Sequence, residues 1–442
     1  VRRVPGLWVR RCATAVLVGI ALAVVFAGTV AVAVEQRFPQ PDFKTGHVQP
    51  VYQPPAAQAP WRAWADVGVL AGALGLAAWL ALVRRSRRGL FLLAVACLAY
   101  FGFWRKGCIC PVGSIQNVTL GLADPTYGIP LTVVALFLLP LVFALFFGRV
   151  FCASVCPLGA IQEMVIVRPL RLPAWLHRTL GLVPHAYLAL AVAFAATGAG
   201  FWVCRYDPFV GLFRRGGPAS MIVTGAILLA IGTLVARPYC RFLCPYGVLL
   251  NWFSRLSRRH LTITPDECIQ CRLCEASCPF DAIRGPEPGP VDRAAARRAL
   301  AVALLLLPAF AAVGAFAGRI AGPLLARAHP AVSLAAEIRA EDAAGTRDLT
   351  EATKEFRASG ESMGLLAARE ADALRRVGRA VTWAGGFLGL MIAIRLVALA
   401  RRSDRKDYVA DRGECLGCGR CFAHCPREYV RRGVLDGPML NP

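Results

Sequence analysis

The chain of 442 residues is 57% hydrophobic and 17% charged, with a mean hydropathy of +0.52, which is too apolar for a soluble enzyme of this length. Its formal net charge of +23 would suit a nucleic-acid binder. Yet the basic residues lie between apolar runs, where membrane topology expects them, and no basic module interleaved with aromatics is present, so nucleic acid is excluded as a partner and membrane lipid is expected as one.

Taken in order, Arg2, Arg3, Arg10 and Arg11 precede an apolar run long enough to span a bilayer, so residues 1–34 read as an anchor with a cytoplasmic N-terminus. Ala31-Val-Ala33 is the alternative, a signal-peptidase site. Residues 35–63, rich in proline, read as an extended periplasmic linker. Residues 64–260 form a membrane core with expected spans at 64–83, 89–104, 129–147, 185–203 and 218–236. Arg84-Arg-Ser-Arg-Arg88 and the basic stretch containing Arg255, Arg258 and Arg259 mark inner loops. Residues 293–318 and 380–400 are the last two spans, and 319–379 between them form a periplasmic helical segment whose charges nearly cancel. Arg395 lies near the inner end of the last span and reads as a snorkelling residue. The fold class is therefore an all-α polytopic membrane protein of about eight transmembrane helices.

Two segments interrupt the spans, at 261–292 and 401–442. The first contains Cys268-Ile-Gln-Cys271-Arg-Leu-Cys274-Glu-Ala-Ser-Cys278-Pro279, and the second contains Cys415-Leu-Gly-Cys418-Gly-Arg-Cys421-Phe-Ala-His-Cys425-Pro426. C-x2-C-x2-C-x3-C-P is the run that wraps a 4Fe–4S cluster in bacterial ferredoxins, and its fourth cysteine serves the other cluster of a pair. Zinc, the nearest rival, asks for separated CxxC pairs and has no use for the third cysteine or the Cys-Pro. The two runs make a ferredoxin-like module for two 4Fe–4S clusters, split between segments that both fall on the cytoplasmic side. In the crossed scheme Cys268, Cys271 and Cys274 act with Cys425, and Cys415, Cys418 and Cys421 with Cys278. The alternative closes each cluster within its own run. His424 reads as tuning a cluster through a hydrogen bond.

A shorter motif recurs three times. Cys110-Pro-Val-Gly, Cys156-Pro-Leu-Gly and Cys244-Pro-Tyr-Gly share a frame, and Cys152 and Cys240 precede the last two by four residues. Proline after cysteine suits the first turn of a helix, whose N-terminal dipole end then faces an anionic thiolate centre. Cys152, Cys156, Cys240 and Cys244 are expected to meet, as a further thiol-bound iron–sulfur or metal centre or as a dithiol relay, with buried packing residues as the bland alternative. Cys108, Cys110 and Cys204 are expected at the outer face, as metal ligands or as a disulfide pair. Cysteine-Pro copies on opposite faces would then carry electrons across the membrane.

At these residues the chain resembles the NosR/NapH-type polytopic membrane iron–sulfur proteins, through Gly148-Arg-Val-Phe-Cys-Ala-Ser-Val-Cys-Pro, Arg237-Pro-Tyr-Cys-Arg-Phe-Leu-Cys-Pro and the two ferredoxin runs. The resemblance implies a bacterial inner-membrane electron-transfer protein. It would link a quinol pool or cytoplasmic electron donor to a periplasmic redox protein. Its alternative is a redox-sensing or maturation factor for a periplasmic metalloenzyme. The chain departs from that pattern in having no room for a flavin domain in residues 35–61 and in separating its ferredoxin runs by two spans.

Overall fold

The computed structural model describes residues 60–107, 110–263, 268–287, 293–345, 349–400, 405 and 407–433. The expected anchor, most of the linker and Cys108 lie outside the described residues. Helix α1 (Pro60–Ala78) runs on through a π turn to Val83, and α2 (Arg87–Cys97) likewise to Trp104. The two form a hairpin whose far end is tied by Arg105 to Asp66 at 2.5 Å and by Tyr100 to the same carboxylate at 2.9 Å. The expected span at 89–104 is thus one unbroken helix.

Helices α3 (Pro111–Ala123), α4 (Leu131–Phe147), α5 (Pro157–Val165), α6 (Ala174–Leu180) and α7 (Val183–Thr197) follow. After them come α8 (Trp202–Tyr206), α9 (Pro208–Arg214), α10 (Ala219–Gly232), α11 (Pro238–Phe242) and α12 (Pro245–Arg255). Helices α3, α5 and α12 each start as the Cys-Pro frame requires, with cysteine at the N-cap and proline in the first turn. A further helix starts in the same way with a different residue. Asp207 caps α9 by accepting the Phe209 N–H at 2.9 Å, and Pro208 follows it. Within the expected span at 218–236 only α10, 14 residues long, is helical, and it meets the preceding α9 at 105°.

After the short α13 (Leu273–Ser277), the last two spans are long helices, α14 (Arg293–Ala326) and α17 (Met363–Ala400), which pack along most of their shared length. Glycines make this possible. A Cβ at Gly314 or Gly318 would collide with the backbone of α17, and one at Gly385 or Gly389 with that of α14. Between lipid-facing helices such small-residue seams replace the hydrophobic drive with close backbone contact. Helices α15 (Pro330–Ala344) and α16 (Glu351–Ala358) fold against the start of α17 around Ala335, Ile338, Phe356 and Leu366, so the segment between the spans has a small core of its own. Arg395 also has partners within the protein. It donates to the carbonyls of Arg178 and Gly181 at 2.9 and 2.7 Å, fastening α17 to the end of α6.

Among the described residues, five helices are long and apolar enough to cross a membrane, or six if the bent pair counts as one span. Helix α4, at 17 residues, falls just short in length.

Candidate iron–sulfur sites and their junction

The two ferredoxin runs, far apart in sequence, close into one unit. Strand β1 (Ile283–Arg284) pairs antiparallel with β2 (Val409–Ala410), and Asp411 N–H donates to Ala282 O at 2.8 Å. The loops also share a conformation. Gln270 and Arg272 in the first run have φ of +50° and +58°, and the matching Gly417 and Gly419 in the second have +67° and +74°. Left-handed backbone is costly for glutamine and arginine. Its presence at both matching positions shows two loops wound around the same shape.

Each fourth cysteine stands beside the thiols of the other run. Cys268, Cys271 and Cys274 line one cavity with Cys425, Ile263 and Tyr408, while Cys278 is absent from its walls. Burial pushes the Cys274 thiol up to about 11, and Cys271, Cys268 and Cys425 add to the shift. In the other group burial pushes Cys415 up to about 12 and Cys421 well above its ordinary value, with Cys278 among the thiols that act on both. Groups so buried hold their protons until a metal's positive charge offsets the thiolates. Among the described residues, no three His, Cys, Asp or Glu side chains converge tightly enough for a single metal ion. Thiols at this spacing gathered around a shared space suit a multi-iron core. His424 does not point into either group. Its ring is exposed, and Nδ1 lies 2.9 Å from the Arg420 carbonyl.

The four cysteines of the two C-x3-C-P motifs also meet: Cys152, Cys240 and Cys244 all act electrostatically on Cys156. Cys152 sits in a π turn (Phe151–Val155) that leads directly into α5. Each motif is preceded by an arginine three residues ahead of its first cysteine, and each guanidinium stands beside the Cys-Pro-x-Gly glycine of the other copy. Arg237, fully buried, donates through Nη1 to Cys152 O, and a Cβ at Gly159 would stand 3.2 Å from that nitrogen. Arg149 lies with Nη2 3.7 Å from Cys152 Sγ, and a Cβ at Gly247 would stand 3.3 Å from that same nitrogen. The glycine of Cys-Pro-x-Gly is therefore the space that admits a guanidinium. Gln162 Nε2 adds a contact to Cys240 Sγ at 3.3 Å.

A buried carboxylate ties this group to the ferredoxin unit. Burial works against the charge of Glu163, but Arg237, Arg87 and Arg420 hold its carboxyl down to about 2. Arg237 Nε is 3.0 Å from Oε2, Arg420 Nη2 is 2.6 Å from Oε1, and Arg87 pairs with Oε1 as well. Arg420 belongs to the second ferredoxin run, and Arg87 also donates to Cys418 O at 3.0 Å. Arg149 reaches that run too, donating to Gly413 O at 3.1 Å. A second tie lies nearby: buried Glu428 forms an ion pair with Arg85 at 3.1 Å and accepts from Arg431 and Arg432 at 3.0 and 3.1 Å. The first run is held by Arg241, which meets Pro279 O and the Asp281 carboxylate, each at 3.2 Å.

The third thiol group is placed differently from the expectation. Cys110 does not segregate to a face remote from the other Cys-Pro copies. It packs against the same apolar cluster as Cys156 and Cys244, which includes Leu158, Phe209 and Tyr239, and it acts electrostatically on Cys244. The reason is that α3, α5 and α12 all begin in the interior, so their cysteines converge whichever way the helices then run. Cys204 joins Cys110: a Cβ at Gly113 would lie 3.1 Å from Cys204 Sγ, and Gln116 accepts the Cys204 N–H at 3.3 Å. Asp207 is buried with them and accepts from Tyr239 Oη at 2.6 Å.

Sequence reasoning missed Arg149, Arg237 and Glu163. The signal for the arginines was present as Arg-x2-Cys-x3-Cys-Pro in both copies. Glu163 gave no signal beyond being a lone acid in an apolar stretch.

Two family models, both described as 4Fe-4S binding domain, match the chain, one at residues 129–182 and 217–264 and the other at 261–284. The first covers all four C-x3-C-P cysteines. The chain is similar to the putative electron transport protein YccM of Escherichia coli, 36% identical over 15% of this chain and 18% of YccM. It is similar to the uncharacterized protein MJ0750 of Methanocaldococcus jannaschii, 26% identical over 41% of this chain and 77% of MJ0750. It is also similar to the protein NirI of Paracoccus denitrificans, 30% identical over 26% of this chain and 18% of NirI. The chain thus covers under a fifth of the length of YccM and of NirI. No solved structure matches. The matched domains and the apolar helices mark an iron–sulfur protein with membrane-spanning segments.

Proposed function

We propose that this chain is a NosR/NapH-type inner-membrane electron-transfer protein that passes electrons between a quinol pool or cytoplasmic donor and a periplasmic redox protein. The observation that carries the reading is the seating of the second ferredoxin run on the C-x3-C-P core through Arg149, Arg420 and Arg87, which puts two thiol groups on either side of one charged junction. YccM, by its name an electron transport protein, matches part of the chain and supports the same reading.

In this reading Cys268, Cys271, Cys274 and Cys425 hold one 4Fe–4S cluster, and Cys415, Cys418, Cys421 and Cys278 hold the second. Cys152, Cys156, Cys240 and Cys244 hold a further iron–sulfur centre. Such clusters supply one-electron oxidation and reduction, with potentials set by burial, hydrogen bonds and local charge. The protein's part is placement. The β1–β2 pairing aligns the two ferredoxin loops, the arginine junction fixes the second loop against the core, and apolar packing keeps water from the C-x3-C-P thiols. Eight spans with both ferredoxin runs cytoplasmic and residues 319–379 periplasmic complete the arrangement, and Cys110 with Cys204 lies on the onward route.

The test is anaerobic purification with iron and sulfide analysis and EPR of the reduced protein, followed by quinol-driven reduction in vesicles. Two ferredoxin-type signals, a third centre lost on Cys156→Ser, and quinol-linked reduction are expected. Zinc in place of iron would overturn the reading.

A further inference from the structure

The two arginines that serve the C-x3-C-P group are matched by sequence position and unmatched in charge. Arg237 is neutralised by Glu163 at 3.0 Å. Arg149 is 7% exposed, and among the described residues no carboxylate stands in ion-pair range of it. Its Nε has no hydrogen-bond partner, and its remaining contacts are one carbonyl, Gly413 O, and one thiol, Cys152 Sγ. The nearest acidic influence is Glu414, which acts on it at longer range. The wider junction repeats the imbalance, because Glu163 alone faces Arg237, Arg87 and Arg420. A buried guanidinium without a counter-charge is strongly destabilising, so a fold that keeps one implies an anionic partner in the assembled protein. Four thiolates around an iron–sulfur core carry more negative charge than the core carries positive, and the thiol nearest to Arg149 belongs to such a group.

We infer that Arg149 is the positioning residue that sets the potential of the C-x3-C-P centre, with Glu163 opposing it through Arg237. This rests on the reading that Cys152, Cys156, Cys240 and Cys244 hold an iron–sulfur centre, and it goes further by assigning the charges that govern it. A cation beside an anionic centre favours the state with one more electron, so Arg149 raises the potential. Glu163 removes part of the positive field of Arg237 and lowers it. The duplicated arginine has thus diverged: one copy is balanced by a carboxylate and mainly structural, and the other is left as a field source that also touches the carbonyl two residues before Cys415.

The experiment is an anaerobic redox titration of the full-length protein, followed by EPR, in Arg149→Met, Arg149→Lys and Glu163→Gln. In Arg149→Met the reduced-to-oxidised ratio of the centre that Cys156→Ser abolishes should fall about tenfold or more at fixed solution potential. Arg149→Lys should recover most of that loss. Glu163→Gln should shift the same centre to higher potential. The signal that Cys271→Ser abolishes should hold its potential in all three variants. A structural role for Arg149 would give the same loss of signal in the Lys and Met variants, with no shift of opposite sign in Glu163→Gln. An unchanged potential in Arg149→Met with the centre present, or shifts of one sign in Arg149→Met and Glu163→Gln, would overturn the inference. If the wild-type protein holds no third centre, the underlying reading fails and takes the inference with it.

Discussion

Truncating Glu428 to alanine should undock the second ferredoxin run from the membrane core. The Glu428 side chain is 2% exposed and that of Arg85 9% exposed, whereas those of Arg431 and Arg432 are 57% and 37% exposed. Loss of the carboxylate therefore strands Arg85, which is then held by Thr262 O at 2.9 Å and by the face of Phe422. Breaking a buried pair by removing one partner costs about 3–5 kcal/mol, and the two exposed arginines add about 0–1 kcal/mol each because water solvates them once released. An opening equilibrium shifted by about 3 kcal/mol corresponds to roughly a hundredfold faster amide exchange in the unit that opens. Hydrogen–deuterium exchange of the full-length protein should show this in β2 and in the helix Pro426–Arg431, while the α14–α17 pair keeps its protection. The double variant Arg85→Met/Glu428→Leu should recover most of the protection, since an apolar pair of similar volume often equals a buried ion pair. Exchange in Glu428→Ala within about twofold of wild type, or no recovery in the double variant, would refute the reasoning.

Replacing Gly389 with valine should force α14 and α17 apart, because its Cβ meets the backbone of Phe310 and no side chain can swing clear; a cost of about 1–3 kcal/mol is expected, read as earlier thermal aggregation in detergent, and an unchanged midpoint would argue against the glycine seam. Cys425→Ser should abolish the same EPR signal as Cys271→Ser, and Cys278→Ser the same signal as Cys418→Ser; the opposite pairing would show that each run closes its own cluster. A single cysteine introduced as Glu361→Cys should react with an impermeant reagent in intact cells, and labelling only after lysis would reverse the proposed orientation of residues 319–379. Glu163 has a folded pKa of about 2 against an ordinary 4.5, so its contribution is complete above about pH 4.5 and disappears as pH falls towards 2. In the metal-free protein, exchange protection of residues 407–433 should fall across that window, and the fall should vanish in Glu163→Gln.

The cofactor runs and most of the spans were legible because each depends on local chemistry: thiols at fixed spacing, or an apolar run long enough for a bilayer. What joins them was not. Arg84-Arg-Ser-Arg-Arg88 reads from sequence as a topology marker, and the same arginines prove to be the dock, with Arg85 on Glu428 and Arg87 on Glu163 and Cys418 O. A charge count along the chain weights every arginine alike, whereas burial separates those that face lipid headgroups and water from those that meet a carboxylate. The location of Cys110 was misjudged for a related reason. Counting spans assigns each loop to one face or the other and has no place for a short helix that starts inside. Three Cys-Pro starts and the Asp207-Pro208 start are of that kind.

That last start bears on how the electron route is built. Helix α2 with its π turn (Arg87–Trp104), α3, α4 and α5 run long, short, long, short, and α7, α9, α10 and α12, with the five-residue α8 and α11 between them, repeat the order, with residue-Pro at the head of α3, α5, α9 and α12. The Gln116 amide oxygen accepts from Cys204 N–H as the Gln162 amide oxygen accepts from Tyr239 N–H, so the two glutamines hold corresponding loops of the second half. In one layer both N-caps are cysteines, Cys156 and Cys244, each with a partner four residues earlier. In the other layer they are Cys110 and Asp207, with Cys204 beside them. Among the described residues, the duplicated frame therefore presents four thiols where the second ferredoxin run is seated, and a mixed thiol and carboxylate set in the next layer. In the proposed reading, an electron arriving from the ferredoxin side would meet the four-thiol layer first, and the layer of Cys110, Cys204 and the buried Asp207 would lie beyond it.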